Sequence, residues 1–245
     1  EQKRAEEWSL YVCRLLLRFI LRCSFWLTIK DEPTEEDWDR LIPRNQSCMI
    51  MINHTSSLDG FFFGAMASPN IMQRAKSLMI GKSFKMPVLG TCFRLLGHQP
   101  VHFLKDEEGK FSVDKVKQAP VNALIQKHVS SGGGILTFCP EGAINKTDPT
   151  RVQPHRRGSF QQAIDLRLPI YGFSSFGNHD FWPNACPIAG KRAKICCAIY
   201  AVHAWNDRLA NGDDVSATTA ADLALLCEKT MQASVDGVVA AHARA

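Results

Sequence analysis

Cys48-Met49-Ile50-Met51-Ile52-Asn53-His54-Thr55-Ser56-Ser57-Leu58-Asp59 is an unbroken apolar run that ends in polar residues carrying a histidine and a carboxylate. Five consecutive apolar residues suit a strand covered on both faces, as in the parallel sheets of α/β proteins. Thr55 or Ser56 can cap a helix that begins near Leu58. His54 then stands at a strand end, where a neutral imidazole can take a proton from an alcohol near pH 7. A carboxylate on its other nitrogen fixes the tautomer. At about 100° per residue, positions 54 and 59 lie about 500° apart on a helix, so the pair requires His54 just outside the helix and Asp59 inside it.

Downstream, Ser131-Gly132-Gly133-Gly134-Ile135-Leu136-Thr137-Phe138-Cys139-Pro140-Glu141-Gly142 reads as a helix end, a short buried strand and a sharp turn bearing one carboxylate. Further strands are predicted near 77–81, 100–104, 169–173 and 194–202. They alternate with helices near 58–67, 84–97, 113–130 and 158–166, and an amphipathic helix over 216–235 closes the chain. This alternation predicts an α/β fold, a single domain with a central mixed, largely parallel sheet flanked by helices. A length of 245 residues, 45% hydrophobic and 22% charged, suits one such domain.

Between and beyond these two strand ends lie Lys82-Ser83-Phe84-Lys85-Met86-Pro87-Val88-Leu89-Gly90, Arg157-Gly158-Ser159-Phe160 and Leu168-Pro169-Ile170. The ordered blocks Asn-His-x4-Asp, Lys-x4-Pro-x2-Gly, Phe-x-Pro-Glu-Gly, Arg-Gly-x-Phe and Leu-Pro-Ile resemble the glycerolipid acyltransferases typified by 1-acylglycerol-3-phosphate acyltransferase. The resemblance spans about residues 48 to 173. It implies that His54 is the general base that activates an acceptor hydroxyl toward an acyl thioester, with Asp59 holding the histidine. It places Glu141 and Gly142 at the acceptor site and makes Arg157 a candidate phosphate contact, with Lys82 near the acceptor. Where the family has an arginine after Glu-Gly, this chain has Ile144, and Lys146, Arg156 or Arg157 are the candidates to supply the charge. Backbone N–H groups at the start of the helix after His54 are one candidate oxyanion site.

The implied reaction moves a fatty acyl group from acyl-CoA, a co-substrate, to a lysophospholipid acceptor, most simply 1-acylglycerol-3-phosphate, giving phosphatidate; no other cofactor is implied. Glycerol 3-phosphate or another lysophospholipid is the alternative acceptor, and a non-catalytic lipid-binding relative is the alternative class. A serine hydrolase built on Ser56 or Ser57 lacks a Gly-x-Ser-x-Gly elbow.

Residues 1–30 are expected to form an amphipathic interfacial helix, with the acyltransferase domain over 31–245. From Trp8 to Ile29 the chain is largely apolar, and Arg14, Arg18 and Arg22 recur every fourth position as one stripe. Three arginines, at about 2.5 to 3.5 kcal/mol each near a bilayer centre, argue against a span and for a helix lying on the membrane surface with its arginines at the head groups. The alternative is a helix packed on the domain with its arginines in water. The stretch lacks the pattern of a signal peptide. Asp31 to Asp39, acidic and containing Pro33, reads as a linker.

Charge and cysteines bound the remaining classes. A net charge of +5, from 29 Lys and Arg against 24 Asp and Glu, suits anionic lipid or a phosphorylated co-substrate and predicts no nucleic-acid partner. Nine cysteines without paired spacing predict thiols in a reducing compartment and no metal site. The expected location is membrane-associated and cytosol-facing, at the endoplasmic reticulum in a eukaryote or the inner membrane in a bacterium. Gly81-Lys82-Ser83 ends like a phosphate-binding loop, but Lys76 stands where its first glycine is needed. The remaining histidines are read as structural, His155 being the one with basic neighbours, and Asn178 to Pro187 as a loop at a substrate entrance.

Overall fold

A computed structural model of the chain describes residues 2–105, 111–184, 186 and 190–244; Pro187 of the expected entrance loop lies outside them. In chain order the first half comprises α1 (Gln2–Cys23), β1 (Leu27–Lys30), α2 (Glu35–Leu41), β2 (Cys48–Ile52), α3 (Asp59–Met66), α4 (Pro69–Arg74), β3 (Ala75–Ile80) and α5 (Leu89–Leu95). There follow β4 (Gln99–Val101), β5 (Phe103–Lys105), β6 (Phe111–Val113), α6 (Lys115–Ser130), β7 (Ile135–Phe138) and α7 (Gly158–Asp165). The chain closes with β8 (Ile170–Phe176), α8 (Asn178–Phe181), β9 (Ala193–Ala201), α9 (His203–Ala210) and α10 (Ala220–Arg244).

Seven strands form one sheet in the order β1-β9-β8-β2-β7-β3-β4, and every pairing is parallel except β8 with β9. β5 and β6 make a separate antiparallel pair. All five residues of β2 are buried, as a strand covered on both faces must be. Alternation sends Ile50 and Ile52 into the core shared with α1, α3 and α4, while Met49 and Met51 enter the core shared with α6, α7 and α10. The ends of β2, β7 and β8 therefore open on one edge of the sheet, where ligands bind in open α/β folds.

The helix expected over 84–97 is a 3-10 turn, Gly81–Lys85, followed by the shorter α5. Pro87 disfavours helical geometry at Met86, and Val88 takes a positive φ of 63° before the helix starts. The linker expected over 31–39 contains α2, opened by a capping box in which Thr34 and Asp37 exchange hydrogen bonds. The closing helix runs beyond the expected 235, to Arg244.

α1 is shorter than the helix expected over 1–30. It ends at Cys23, and Leu27–Lys30 joins the main sheet as its edge strand beside β9. Its arginine stripe runs from buried Arg14 through half-buried Arg18 to exposed Arg22, and all three are drawn onto partners within the chain. Arg14, 5% exposed, donates to the Ala67 carbonyl at 2.6 Å and pairs with Glu35 at 3.0 Å. Arg18 donates to the Ala65 carbonyl at 3.2 Å and pairs with Glu32 at 2.7 Å, and Arg22 pairs with Glu32 as well. Two of the three arginines thus satisfy carbonyls at the C-terminus of α3, where cations are favoured. The large apolar residues Trp8, Val12, Leu15, Leu16, Phe19 and Ile20 are left exposed, continued by Phe25 at 90%. No described helix is long and apolar enough to cross a membrane.

Candidate active site

His54 follows β2 directly, and Asp59 is the first residue of α3. The histidine is outside the helix and the aspartate inside it, the arrangement their phasing demands. His54 Nδ1 lies 3.0 Å from Asp59 Oδ2, and the same oxygen accepts the backbone N–H groups of Thr55 at 2.7 Å and Ser56 at 2.8 Å. Asp59 Oδ1 accepts Asn178 Nδ2 at 2.7 Å. Four donors thus surround a carboxylate that is 0% exposed, as a buried charge requires. With Nδ1–H donating to Asp59, the neutral imidazole presents an Nε2 lone pair, and the His54 side chain is 23% exposed.

The amides that pin the carboxylate are those considered above as oxyanion donors. Thr55 and Ser56 N–H groups go to Asp59, Leu58 N–H to Ser56 Oγ at 3.2 Å and Asp59 N–H to the Ser56 carbonyl at 3.3 Å. These four are engaged and do not point at a reacting carbonyl.

Glu141, in the turn after β7, sits behind His54. Its Oε1 accepts the His54 backbone N–H at 2.7 Å and its Oε2 accepts Gln153 N–H at 3.0 Å, with the residue 4% exposed. Burial is the main cause that raises its carboxyl above the ordinary range; the two N–H bonds act against it. Asn145 N–H donates to the His54 carbonyl at 2.6 Å, so the loop after β7 grips both sides of the His54 peptide. Gly142 has a φ of 69°, and an added Cβ would run into the Arg156 guanidinium. Asn53 completes the frame: its amide bonds the Ser175 carbonyl and N–H, both at 2.9 Å, extending the β2–β8 ladder by one side chain.

His54, Asp59, Glu141 and Gly142 thus come together. Lys146, Arg156 and Arg157 are exposed on the loop after β7 and at the start of α7, and Lys82 is exposed just past β3. Among the described residues these four cations enter no ion pair, and none bonds the His54–Asp59 pair. His155 stacks on Phe160 at 5.7 Å, and burial pushes its ring down to about 4. His98 accepts Ser77 N–H and is likewise lowered to about 4, by burial and secondarily by Lys76. Of the cysteines, Cys48, Cys196, Cys197 and Cys227 are buried whereas Cys23 is exposed, and all nine are free. No group of His, Cys, Asp and Glu among the described residues has the arrangement of a metal site.

Asn178 is the functional residue that sequence reasoning missed. It opens α8 after Gly177, whose φ is 100° and whose added Cβ would overlap the Lys194 carbonyl. That crossing turns Asn178 back onto Asp59.

Comparison with known proteins bears on the family and the fold. The Acyltransferase family model matches residues 37–175, more than half of the chain, a span that holds His54, Asp59, Glu141 and Arg157. No curated protein matches the chain. The crystal structure of PlsC, the 1-acyl-sn-glycerophosphate (LPA) acyltransferase of Thermotoga maritima, superposes with a TM-score of 0.67 at 14% identity, over 98% of this chain and 83% of that one. At this identity the likeness is one of fold. A family match across more than half of the chain, on a sheet that superposes with that of PlsC, makes this protein a member of the Acyltransferase family.

Proposed function

We propose that the protein transfers a fatty acyl group from acyl-CoA to the free hydroxyl of 1-acylglycerol-3-phosphate, forming phosphatidate. The observation that carries this reading is the His54–Asp59 pair, with Nδ1 tied to a fully buried carboxylate and Nε2 free of any bond to a described residue. In the reaction His54 Nε2 takes the hydroxyl proton as the oxygen attacks the thioester carbonyl carbon. The tetrahedral intermediate then expels the coenzyme A thiolate, which takes the proton from the imidazolium. Glu141 and Asn145 hold the His54 peptide, and Asp59 keeps the ring in its acceptor tautomer. The fold shared with PlsC, an LPA acyltransferase, supports the acceptor class, and Lys146, Arg156 and Arg157, without ion pairs among the described residues, are the cations offered to its phosphate.

Ile144, apolar and unable to hold a phosphate, favours a second reading in which the acceptor is glycerol 3-phosphate or another lysophospholipid. Retention of the His54–Asp59 pair speaks against a purely lipid-binding relative. The exposed apolar face of α1 supports action at a membrane surface, and nine free cysteines suit its cytosolic side.

Transfer of labelled acyl groups from acyl-CoA to acceptors with and without phosphate, beside His54→Ala, tests the proposal. A general base contributes about 10²- to 10⁴-fold, so the variant should lose at least that much while staying folded. Unchanged transfer in a folded His54→Ala would remove the mechanism, and equal use of phosphate-free acceptors would remove lysophosphatidate.

A further inference from the structure

A cavity of about 870 Å³ lies away from the catalytic pair, lined by Thr28, Lys30, His179, Lys191, Arg192 and Lys194, with Asp180 and His242 at its sides. Neither His54 nor Asp59 lines it. α8 separates the two: Asn178 bonds Asp59, and the next two residues, His179 and Asp180, line the cavity. Four Lys and Arg residues line it beside a single Asp, in a chain whose whole net charge is +5. None of the four enters an ion pair among the described residues, and Asp180 lies 3.6 Å from His179 Nε2. His179 Nδ1 is buried without a hydrogen-bond partner among the described residues.

The backbone around the cavity is held in place. Gly190 and Lys191 N–H groups donate to the Phe181 carbonyl at 3.0 and 3.2 Å, and Ala193 N–H donates to the Trp26 carbonyl at 3.3 Å. Thr28 pairs with Lys194 across β1 and β9, so their side chains share a face. Phe176 meets the rings of His179 and His242 edge-on, each at 5.0 Å.

Topology sets the cavity beside the reaction. β8 runs parallel to β2 and β9 antiparallel to β8, so the starts of β9 and β1 lie at the sheet edge where β2 ends in His54. Three strand spacings, about 14 Å in all, separate β1 from β2. An acyl-CoA donor has its reactive thioester at one end of an extended pantetheine arm and three phosphate groups at the other. We propose that this cavity binds the phosphorylated nucleotide end of the acyl donor, its 3′-phospho-ADP, while the thioester reaches His54; this rests on the acyl-CoA reading above. A concave site of this volume suits a small phosphorylated ligand, and four cations without carboxylate partners suit its phosphates.

The test compares acyl-CoA with S-acyl-pantetheine, which lacks the nucleotide, in the wild type and in the surface variant Lys191→Ala/Arg192→Ala. The expected result is a KM for acyl-CoA raised about tenfold or more in the variant, with kcat and the KM for S-acyl-pantetheine unchanged. Calorimetric titration of the full chain with adenosine 3′,5′-bisphosphate should show binding that the variant weakens about tenfold. This second arm needs no turnover, so it stands if the transfer reading itself fails. Unchanged bisphosphate binding in the variant, an equal loss with both donors, loss only with an acyl carrier protein donor, or loss only of binding to anionic vesicles would each overturn the proposal.

Discussion

Replacing Asn178 by alanine tests how Asp59 is held. Among the described residues Asn178 Nδ2 is the sole donor to Asp59 Oδ1, at 2.7 Å, whereas Oδ2 keeps three. Asp59 is 0% exposed, so bulk water does not replace the lost donor without rearrangement. A hydrogen bond to a charged group is worth about 1.5–3 kcal/mol. At about 2–4 °C per kcal/mol for a chain of this size, Tm should fall by about 3–12 °C. Released on one side, the carboxylate turns about its remaining bonds and no longer fixes the His54 ring. The same 1.5–3 kcal/mol, read on the barrier, lowers kcat by about tenfold to a hundredfold. KM should stay constant, because Asn178 is fully buried and does not face substrate. Steady-state acyl transfer and thermal unfolding by circular dichroism measure both quantities. Ser175→Ala is the control, since it removes the other partner of Asn178 Nδ2, also at 2.7 Å, without touching Asp59. It should lower Tm and spare kcat. A folded Asn178→Ala with wild-type kcat would refute the positioning role.

Glu141→Gln keeps size but offers one carbonyl oxygen to two N–H groups, so its amide opposes either His54 or Gln153. Loss of about 1–3 kcal/mol of stability, partly offset by relief of the burial that raises the native carboxyl, should accompany a drop in kcat; an unperturbed variant in both assays would dismiss the staple. His98 and His155, held to about 4 by burial, stay neutral in the fold while the unfolded chain takes up protons near pH 6.5. Stability therefore falls as pH drops from about 6.5 to about 4, by up to about 3 kcal/mol per ring; urea unfolding of His155→Phe should show a shallower decline, and an identical slope would exclude that ring. Gly177→Ala combines a φ of 100° with a collision against the Lys194 carbonyl, and should cost about 3 kcal/mol or more and lower kcat by moving Asn178. Wild-type melting and turnover would mean that the β8–α8 crossing tolerates a side chain.

The strand before His54 and the helix after it were legible because both signals are local: an apolar run too uniform for a half-buried strand, and a spacing that only a strand-to-helix turn reconciles. Gly132 and Gly133, both at positive φ, mark the end of α6 as their clustering implied. Asn178, read as the start of an entrance loop, opens a short helix instead, and its role was illegible because its partner Asp59 lies 119 residues earlier. The partners of the α1 arginines were illegible for a different reason. Spacing of four identifies a shared face, but the side that face turns to depends on Glu32, Glu35 and the carbonyls of α3, which only the fold assembles. α2 carried a readable Thr34–Asp37 box, masked by the surrounding acidic residues and Pro33.

Because Glu141 and Asn145 clasp the peptide of His54, the loops after β2 and β7 form a single body across two neighbouring strands. Insertions cannot lengthen one without pulling the base out of line with the other. On the proposed reading, a lineage that shifts to a new acceptor would be steered toward residues whose side chains take no part in this clasp, such as Ile144, Lys146 and Arg156. On that reading, chemistry and selectivity would occupy one short loop yet drift under separate constraints.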